Sequence, residues 1–472
     1  MIFNSLEFAV FFAAVLALYF SLRSTVMQNR LLFVASSIFY GWWDWRFLFL
    51  MYLTIMVDFF ISKAISRNSI PKTRKRLLLT SITFNLSILG FFKYFNFFAT
   101  STTDLLNSFG LAADPVFIEI ILPVGISFYT FQSMSYVIDV YKKRLKPAEH
   151  LLDYAAYVSL FPQLVAGPIE RATHLLPQIL KPRTVTLNSF SEGIYLIFWG
   201  LFKKLFIADN LAQLVDPVFS GSGNATGEAV LIATYAFAFQ IYCDFSGYSD
   251  IARGAAKCMG FDLMLNFNLP YFSSNPSEFW RRWHISLSSW LRDYLYISLG
   301  GNKKGNYRTY INLSLTMLLG GLWHGASWNF VLWGAYQGAL LVVHRACRPL
   351  LGKLTLSGWK AKLFKFLSIV VFFQFVCYGW LVFRAESATQ IGNLSASLMQ
   401  GINLSNVTHD IIKLMFYASP LILVQLFQYF SRDLNFVLRL PILIRTGLYV
   451  SIFYAIVLFG NFSSTEFIYF QF

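Results

Sequence analysis

The sequence predicts an all-α integral membrane protein with about 11–12 transmembrane helices and additional re-entrant and interfacial helices. Two observations carry this. Of 472 residues, 56% are hydrophobic and 13% charged, whereas soluble domains carry about 25% charged residues. Apolar runs long enough to cross a hydrocarbon core of about 30 Å recur from one end to the other, and no long polar stretch could form a separate soluble domain. Residues 1–472 therefore read as a single membrane domain.

The first apolar run, residues 6–22, has no Lys or Arg before it, and Glu7 stands where a secretory signal would be positive, so it reads as a retained span. Further spans fit residues 31–44, 47–62, 77–98 and 117–141. Lys63, Arg67, Lys72, Arg74, Lys75 and Arg76 mark a cytoplasmic connector. Residues 99–116 hold Asp104 and Asp114 but no basic residue and lie outside, which places the N-terminus outside. Lys142, Lys143, Arg144 and Lys146 return the chain to the cytoplasm. The apolar stretch 151–169 is interrupted by Pro162, Gly167 and Pro168 and is followed by Arg171, Lys181 and Arg183, a conflict that a re-entrant hairpin resolves. An amphipathic surface helix is the alternative.

Spans at 189–207 and 229–245 flank an expected exterior loop with Asp209, Asp216 and Glu228. Residues 260–310 are basic and lack a full apolar run, as expected of a partly embedded cytoplasmic segment. Spans at 311–323, 328–343, 364–383, 411–430 and 447–460 complete the pattern. The net charge of +15 is spread over short connectors, which fits the positive-inside rule and a lipid bilayer rather than nucleic acid. Cys243, Cys258, Cys347 and Cys377 have no metal-ligand spacing, so no metal site is expected.

Six histidines occur. His324 lies in Gly-Gly-Leu-Trp-His-Gly-Ala-Ser (320–327), between two apolar helices. An ionisable group at membrane depth is a functional-site candidate, and neutral imidazole can take a proton. The alternative is a histidine that bonds a neighbouring helix for structure. Residues 279–296 carry Trp and Arg in amphipathic alternation. At about 100° per residue, Trp280, Trp283, His284, Leu287 and Trp290 share the apolar face of one helix, with Arg282, Ser286 and Asp293 opposite. An interfacial anchor is the competing reading there. His150, His174, His344 and His409 lie in or beside charged connectors. Gln240, Tyr242, Asp244, Ser246, Ser249, Asp250 and Arg253 form a polar cluster, read as a structural network in which Arg253 neutralises Asp250, or as a tunnel lining. No phosphate-loop, dinucleotide or serine-hydrolase motif is present.

These stretches carry a family resemblance. Met-Ile-Phe-Asn-Ser (1–5), Leu-Pro-Val-Gly-Ile-Ser-Phe-Tyr-Thr-Phe-Gln (122–132), 161–171 with Ala-Gly-Pro-Ile-Glu-Arg, 242–252, 279–296, 321–326 and the closing Phe-Ile-Tyr-Phe-Gln-Phe (467–472) together resemble the membrane-bound O-acyltransferase family. They are most similar to its bacterial branch containing the alginate O-acetyltransferase membrane subunit and the teichoic-acid D-alanyl transferase. The resemblance implies a ring of helices around a central tunnel, His324 as the catalytic histidine and His284 as a second signature histidine. It also implies a cytoplasmic thioester donor, acetyl-coenzyme A or an acyl-carrier phosphopantetheine, with no bound cofactor. Trp323, Arg281, Arg282, Arg292, Asp244 and Asp250 become candidate donor or tunnel contacts. An extracytoplasmic acetyl-esterase-like partner and a polysaccharide acceptor are expected, in the inner membrane of a bacterium. A transporter of a polar lipid-linked or glycan substrate, and an anchoring scaffold without catalysis, are the other readings.

Overall fold

In a computed structural model, the described residues are 1–472 apart from 115, 166, 222–224, 352–355, 463–466 and 469–472. Most of the closing motif thus lies outside the described residues, as does Ala166 of the Ala-Gly-Pro-Ile-Glu-Arg stretch. Among the described residues the secondary structure is helical, without strands. They form two compact units, Met1–Ile197 with Ile251–Met264, and Phe198–Asp250 with Leu265–Phe472.

The first unit contains α1 (Leu6–Ser21), α2 (Thr25–Asp44), α3 (Arg46–Arg67), α4 (Pro71–Leu89), α5 (Phe95–Ser108), α6 (Ile126–Tyr141), α7 (Leu151–Ser159), α8 (Phe161–Leu164) and α9 (Ala172–Leu180). A π-helical turn, Gly90–Tyr94, joins α4 to α5. The span expected at 117–141 begins as a helix only at Ile126. Gly125 before it has φ +74, and a Cβ there would lie 2.6 Å from the Leu164 carbonyl oxygen. Glycine is needed for both the left-handed backbone and the close approach. The stretch expected to re-enter breaks at Leu160 between α7 and α8. The nine residues of α7 rise about 14 Å, too short for a core of about 30 Å.

α10 (Leu187–Leu201) and α12 (Gly227–Cys258) contribute residues to both units. The second unit adds α11 (Asp209–Phe219), α13 (Pro276–Phe279), α14 (Ile285–Trp290), α15 (Gly305–His324), α16 (Trp328–Leu351), α17 (Gly358–Arg384), α18 (Ala388–Met399), α19 (Thr408–Ser431) and α20 (Ile442–Phe459). The exterior loop expected after residue 207 is helical through α11, because Leu211, Val215 and Phe219 recur at helical spacing and are buried.

Among the described residues, 6 helices are long and apolar enough to cross a membrane: Arg46–Arg67, Pro71–Ser108, Gly227–Cys258, Gly358–Arg384, Leu404–Ser431 and Ile442–Phe459. Fewer helices meet that test than the crossings expected from sequence, because several expected spans are short or lined with polar groups. α1 has only 16 residues, and α15 buries Thr309, Asn312 and Thr316. The protein is a multi-pass, all-helical membrane protein.

Candidate active site

His324 ends α15, which packs along α16 at backbone distance. A Cβ on Gly334 would lie 2.5 Å from the Met317 carbonyl oxygen, and one on Gly321 would overlap the Phe330 carbonyl oxygen. Small residues let membrane helices approach in this way. Asn329 donates to the Ala385 carbonyl at 2.7 Å and ties the start of α16 to the end of α17. His324 is 4% exposed, with Trp323 and Trp333 rings each 5.1 Å away and Phe383 at 5.5 Å.

The stretch expected to be one amphipathic helix is broken. α13 ends at Phe279, residues 280–284 turn, and α14 starts after His284, whose φ of +41 puts a non-glycine residue in the left-handed region. Such a conformation persists only when its surroundings hold it. Residues 266–268 supply that hold. The Ile285 N–H donates to the Asn266 carbonyl at 2.9 Å, the Ser286 hydroxyl donates to Asn266 Oδ1 at 2.7 Å, and the Asn268 N–H donates to the Arg282 carbonyl at 2.9 Å. Asn275 caps α13 through the Glu278 N–H. His284 is wholly buried, with the Phe245 ring edge-on at 4.7 Å. Burial pushes its pKa down to about 3, so the imidazole is neutral. The His284 and His324 rings lie 6.4 Å apart, each against Trp323.

A cavity of about 450 Å³ is lined by Trp280, Arg281, Ser288, Ser289, Arg292, Gly320, His324 and Trp333, among others. Its volume falls within the range of small-molecule sites. The cavity takes in His324, Arg281 and Arg292, while His284 and Trp323 lie off its lining. Arg281 is exposed, and Arg292 pairs with Asp293 at 2.7 Å.

Other sequence candidates go elsewhere. Arg282 pairs with Glu278 at 2.9 Å and donates to the Asn268 carbonyl, bracing the turn before His284. Asp244 pairs with Lys204 at 2.7 Å and accepts the Ile468 N–H. Asp250 pairs with Lys203 at 2.6 Å, so this lysine, rather than Arg253 alone, meets its charge. Lys204 also pairs with Asp209 at 2.8 Å. These lysines were not anticipated as site or network residues, although two adjacent cations inside an apolar run are a signal for buried carboxylate partners. Among the other histidines, His174 is half-buried against Glu170 at 2.8 Å, which raises the imidazole pKa; His150 and His409 are exposed.

The model of the membrane-bound O-acyltransferase family matches residues 149–385, a range that includes both site histidines. The chain belongs to this family. The acyltransferase is 44% identical to a probable alginate O-acetylase of Pseudomonas aeruginosa over 388 residues, 82% of this chain and 72% of the relative. It is 34% identical to a peptidoglycan O-acetyltransferase of Helicobacter pylori over 440 residues, 84% and 81% of the two chains. A teichoic acid D-alanyltransferase of Bacillus subtilis is 28% identical over 279 residues, 56% of this chain and 69% of that one. The protein is thus a membrane O-acyltransferase, an enzyme, whose relatives include a probable alginate O-acetylase, a peptidoglycan O-acetyltransferase and, at lower identity, a teichoic acid D-alanyltransferase.

Proposed function

We propose that this acyltransferase moves an acetyl group from a cytoplasmic thioester, acetyl-coenzyme A or an acyl-carrier phosphopantetheine, to a hydroxyl in the O-acetylation of an exported or cell-wall polysaccharide. The acceptor hydroxyl belongs to the polymer or to an extracytoplasmic acetyl-esterase-like partner that passes the group on. The enzyme works in a bacterial inner membrane with its N-terminus outside.

The observation that carries the reading is the cavity that holds His324 together with Arg281 and Arg292. His324 takes the hydroxyl proton as general base, the oxygen attacks the thioester carbonyl, the C–O bond forms, and the C–S bond breaks. The proton then passes from His324 to the departing thiolate, so the imidazole is regenerated. Arg281 and Arg292 attract the donor's phosphates. His284 lies 6.4 Å from His324 and off the cavity lining. In this reading it either polarises the donor at closest approach or holds the Trp323–His324 edge in place.

The test is transfer of radiolabel from acetyl-coenzyme A by purified protein and by His324→Ala, with acceptor fractions from the source cell and equal folding verified for both. Label transfer by the wild type alone supports the reading. Equal transfer by both sinks the assignment of His324 as base.

A further inference from the structure

We propose that the first unit carries a binding surface for the headgroup of an anionic phospholipid, built by Lys72, Lys75 and Arg76 at the start of α4 with Lys143 and Lys146 after α6. The two clusters are distant in sequence, and direct contacts join them. Arg74 donates to the Tyr141 carbonyl at 2.7 Å, with its guanidinium 5.6 Å from the centre of the Tyr141 ring. Lys63, near the end of α3, donates to the Glu149 carbonyl at 2.8 Å and holds the far end of the segment after α6 to the same helices. α3, α4 and α6 pack on one another, so the cations gather at one end of this group.

Few acidic groups offset these charges. Residues 63–76 contain no Asp or Glu, and residues 139–149 contain only Asp139 and Glu149. Asp139 is buried and pairs with Arg144 at 3.5 Å. Lys72 and Arg74 stand in the first turn of α4, where no acidic side chain accompanies them and the positive end of the helix dipole disfavours cations. Lys72, Lys75, Arg76, Lys143 and Lys146 are all exposed, so an external anion can reach them and relieve the repulsion.

The surface beside the charges selects the kind of anion. Lys75, Leu79 and Leu86 lie within about 40° of one another around the α4 axis. All three are exposed, whereas Ser81, Asn85 and Leu89 are buried on the other side of the helix. α4 opens the membrane-crossing segment Pro71–Ser108. A ligand on this face therefore meets cations first and an apolar stripe directly beyond them. A phosphodiester headgroup with its acyl chains matches both parts, and a soluble acidic protein matches only the first. Basic clusters at the ends of membrane helices attract anionic lipid through this chemistry. The surface shares no residue with the candidate active site, and it does not rest on the acyl-transfer reading.

The test counts, by native mass spectrometry, the lipid retained by the full chain after extraction from bilayers of phosphatidylglycerol and phosphatidylcholine with equal chains. The wild type should retain phosphatidylglycerol preferentially. Lys75→Gln with Arg76→Gln should lower that preference about fivefold for each charge removed, and Lys143→Gln with Lys146→Gln by a similar factor. Lys360→Gln with Lys362→Gln removes the same charge from exposed positions of the second unit and should leave most of the preference intact. A wild type without preference overturns the proposal. Equal losses in all three double variants also overturn it, because the attraction would then follow net charge rather than a site. Glycerophosphoglycerol, the headgroup without chains, and poly-glutamate, a mimic of an acidic protein, should fail to displace the retained lipid. Displacement by either would remove the apolar stripe from the site and overturn the assignment to a phospholipid.

Discussion

His324 stands at the end of a helix pressed onto its neighbour through glycines, whereas His284 stands on a left-handed residue in an irregular stretch tied down by Asn266 and Asn268. Both rings are buried, and both touch Trp323. The two positions are therefore vulnerable to opposite changes. A packed position fails when volume is added, and a hydrogen-bonded one fails when a partner is removed. Only the packed histidine reaches the cavity, which suits a group that must meet two substrates in turn. The wholly enclosed one suits a fixed support.

The largest effect should separate the two rings by role. His324→Ala should lower acetyl transfer by about 10²–10⁴-fold, the usual contribution of a general base, without changing the elution profile or the thermal midpoint by much. His284→Ala should also lower transfer, but with a loss of thermal stability, because it empties a fully buried site. If His284→Ala alone abolished transfer with stability intact, the assignment of roles would be reversed.

Adding volume to the packed position comes next. Gly321→Ala places a methyl group against the Phe330 backbone carbonyl, where no flexible side chain can give way. Overpacking of this kind costs about 1–3 kcal/mol, read as a fall in the thermal midpoint together with a fall in transfer. An unchanged midpoint would mean that the α15–α16 hairpin is looser than its glycines indicate.

These two positions also differ in how far the sequence foretold them. The burial of His324 was legible because a histidine flanked by glycines between apolar helices is unusual on physical grounds; of those glycines Gly321 makes the backbone contact, while Gly320 and Gly325 face the Leu291 and Phe330 side chains. His284 was placed on the apolar side by continuous helix arithmetic, and it is buried, but the helix does not run through it. Helical periodicity sees side-chain spacing and is blind to a left-handed residue imposed by a distant backbone. Asn266 was invisible for that reason, since its role depends on where residues 266–268 lie, not on any local pattern. Asp244 and Asp250 were legible as members of a polar network, but their partners Lys204 and Lys203 were not, because these are tertiary neighbours, whereas the Glu278–Arg282 pair at i,i+4 could have been found from local spacing. The helical membrane class was legible throughout, because composition reports solvent directly. Helix ends were less so: Gly125 and α11 turn on close approach and local burial.

Removing a partner from the hydrogen-bonded position should cost less than overpacking the hairpin. Asn266→Ala deletes the acceptor of the Ser286 hydroxyl but leaves the Ile285-to-Asn266 backbone bond in place. A net loss of about 0.5–1.5 kcal/mol follows, with a lower kcat because the turn under His284 gains freedom. A variant with wild-type kcat would show that the backbone bonds alone suffice to hold His284.

The smallest effect distinguishes adjacent arginines. Arg281 is exposed on the cavity, and Arg282 is paired with Glu278 beneath the turn. Arg281→Gln should raise KM for the anionic thioester severalfold, leave stability unchanged, and lose its effect as salt is raised, because an exposed charge is screened over about 10 Å at 0.1 M ionic strength. Arg282→Gln should do the reverse. The donor KM should hold, while the thermal midpoint drops by the worth of a partly exposed pair, about 0–1 kcal/mol, plus the bond to the Asn268 carbonyl. If both variants raised KM alike, the guanidinium of Arg282 would have to leave Glu278 when donor binds. The bracing of the His284 turn would then be part of the catalytic cycle, rather than a fixed frame for it.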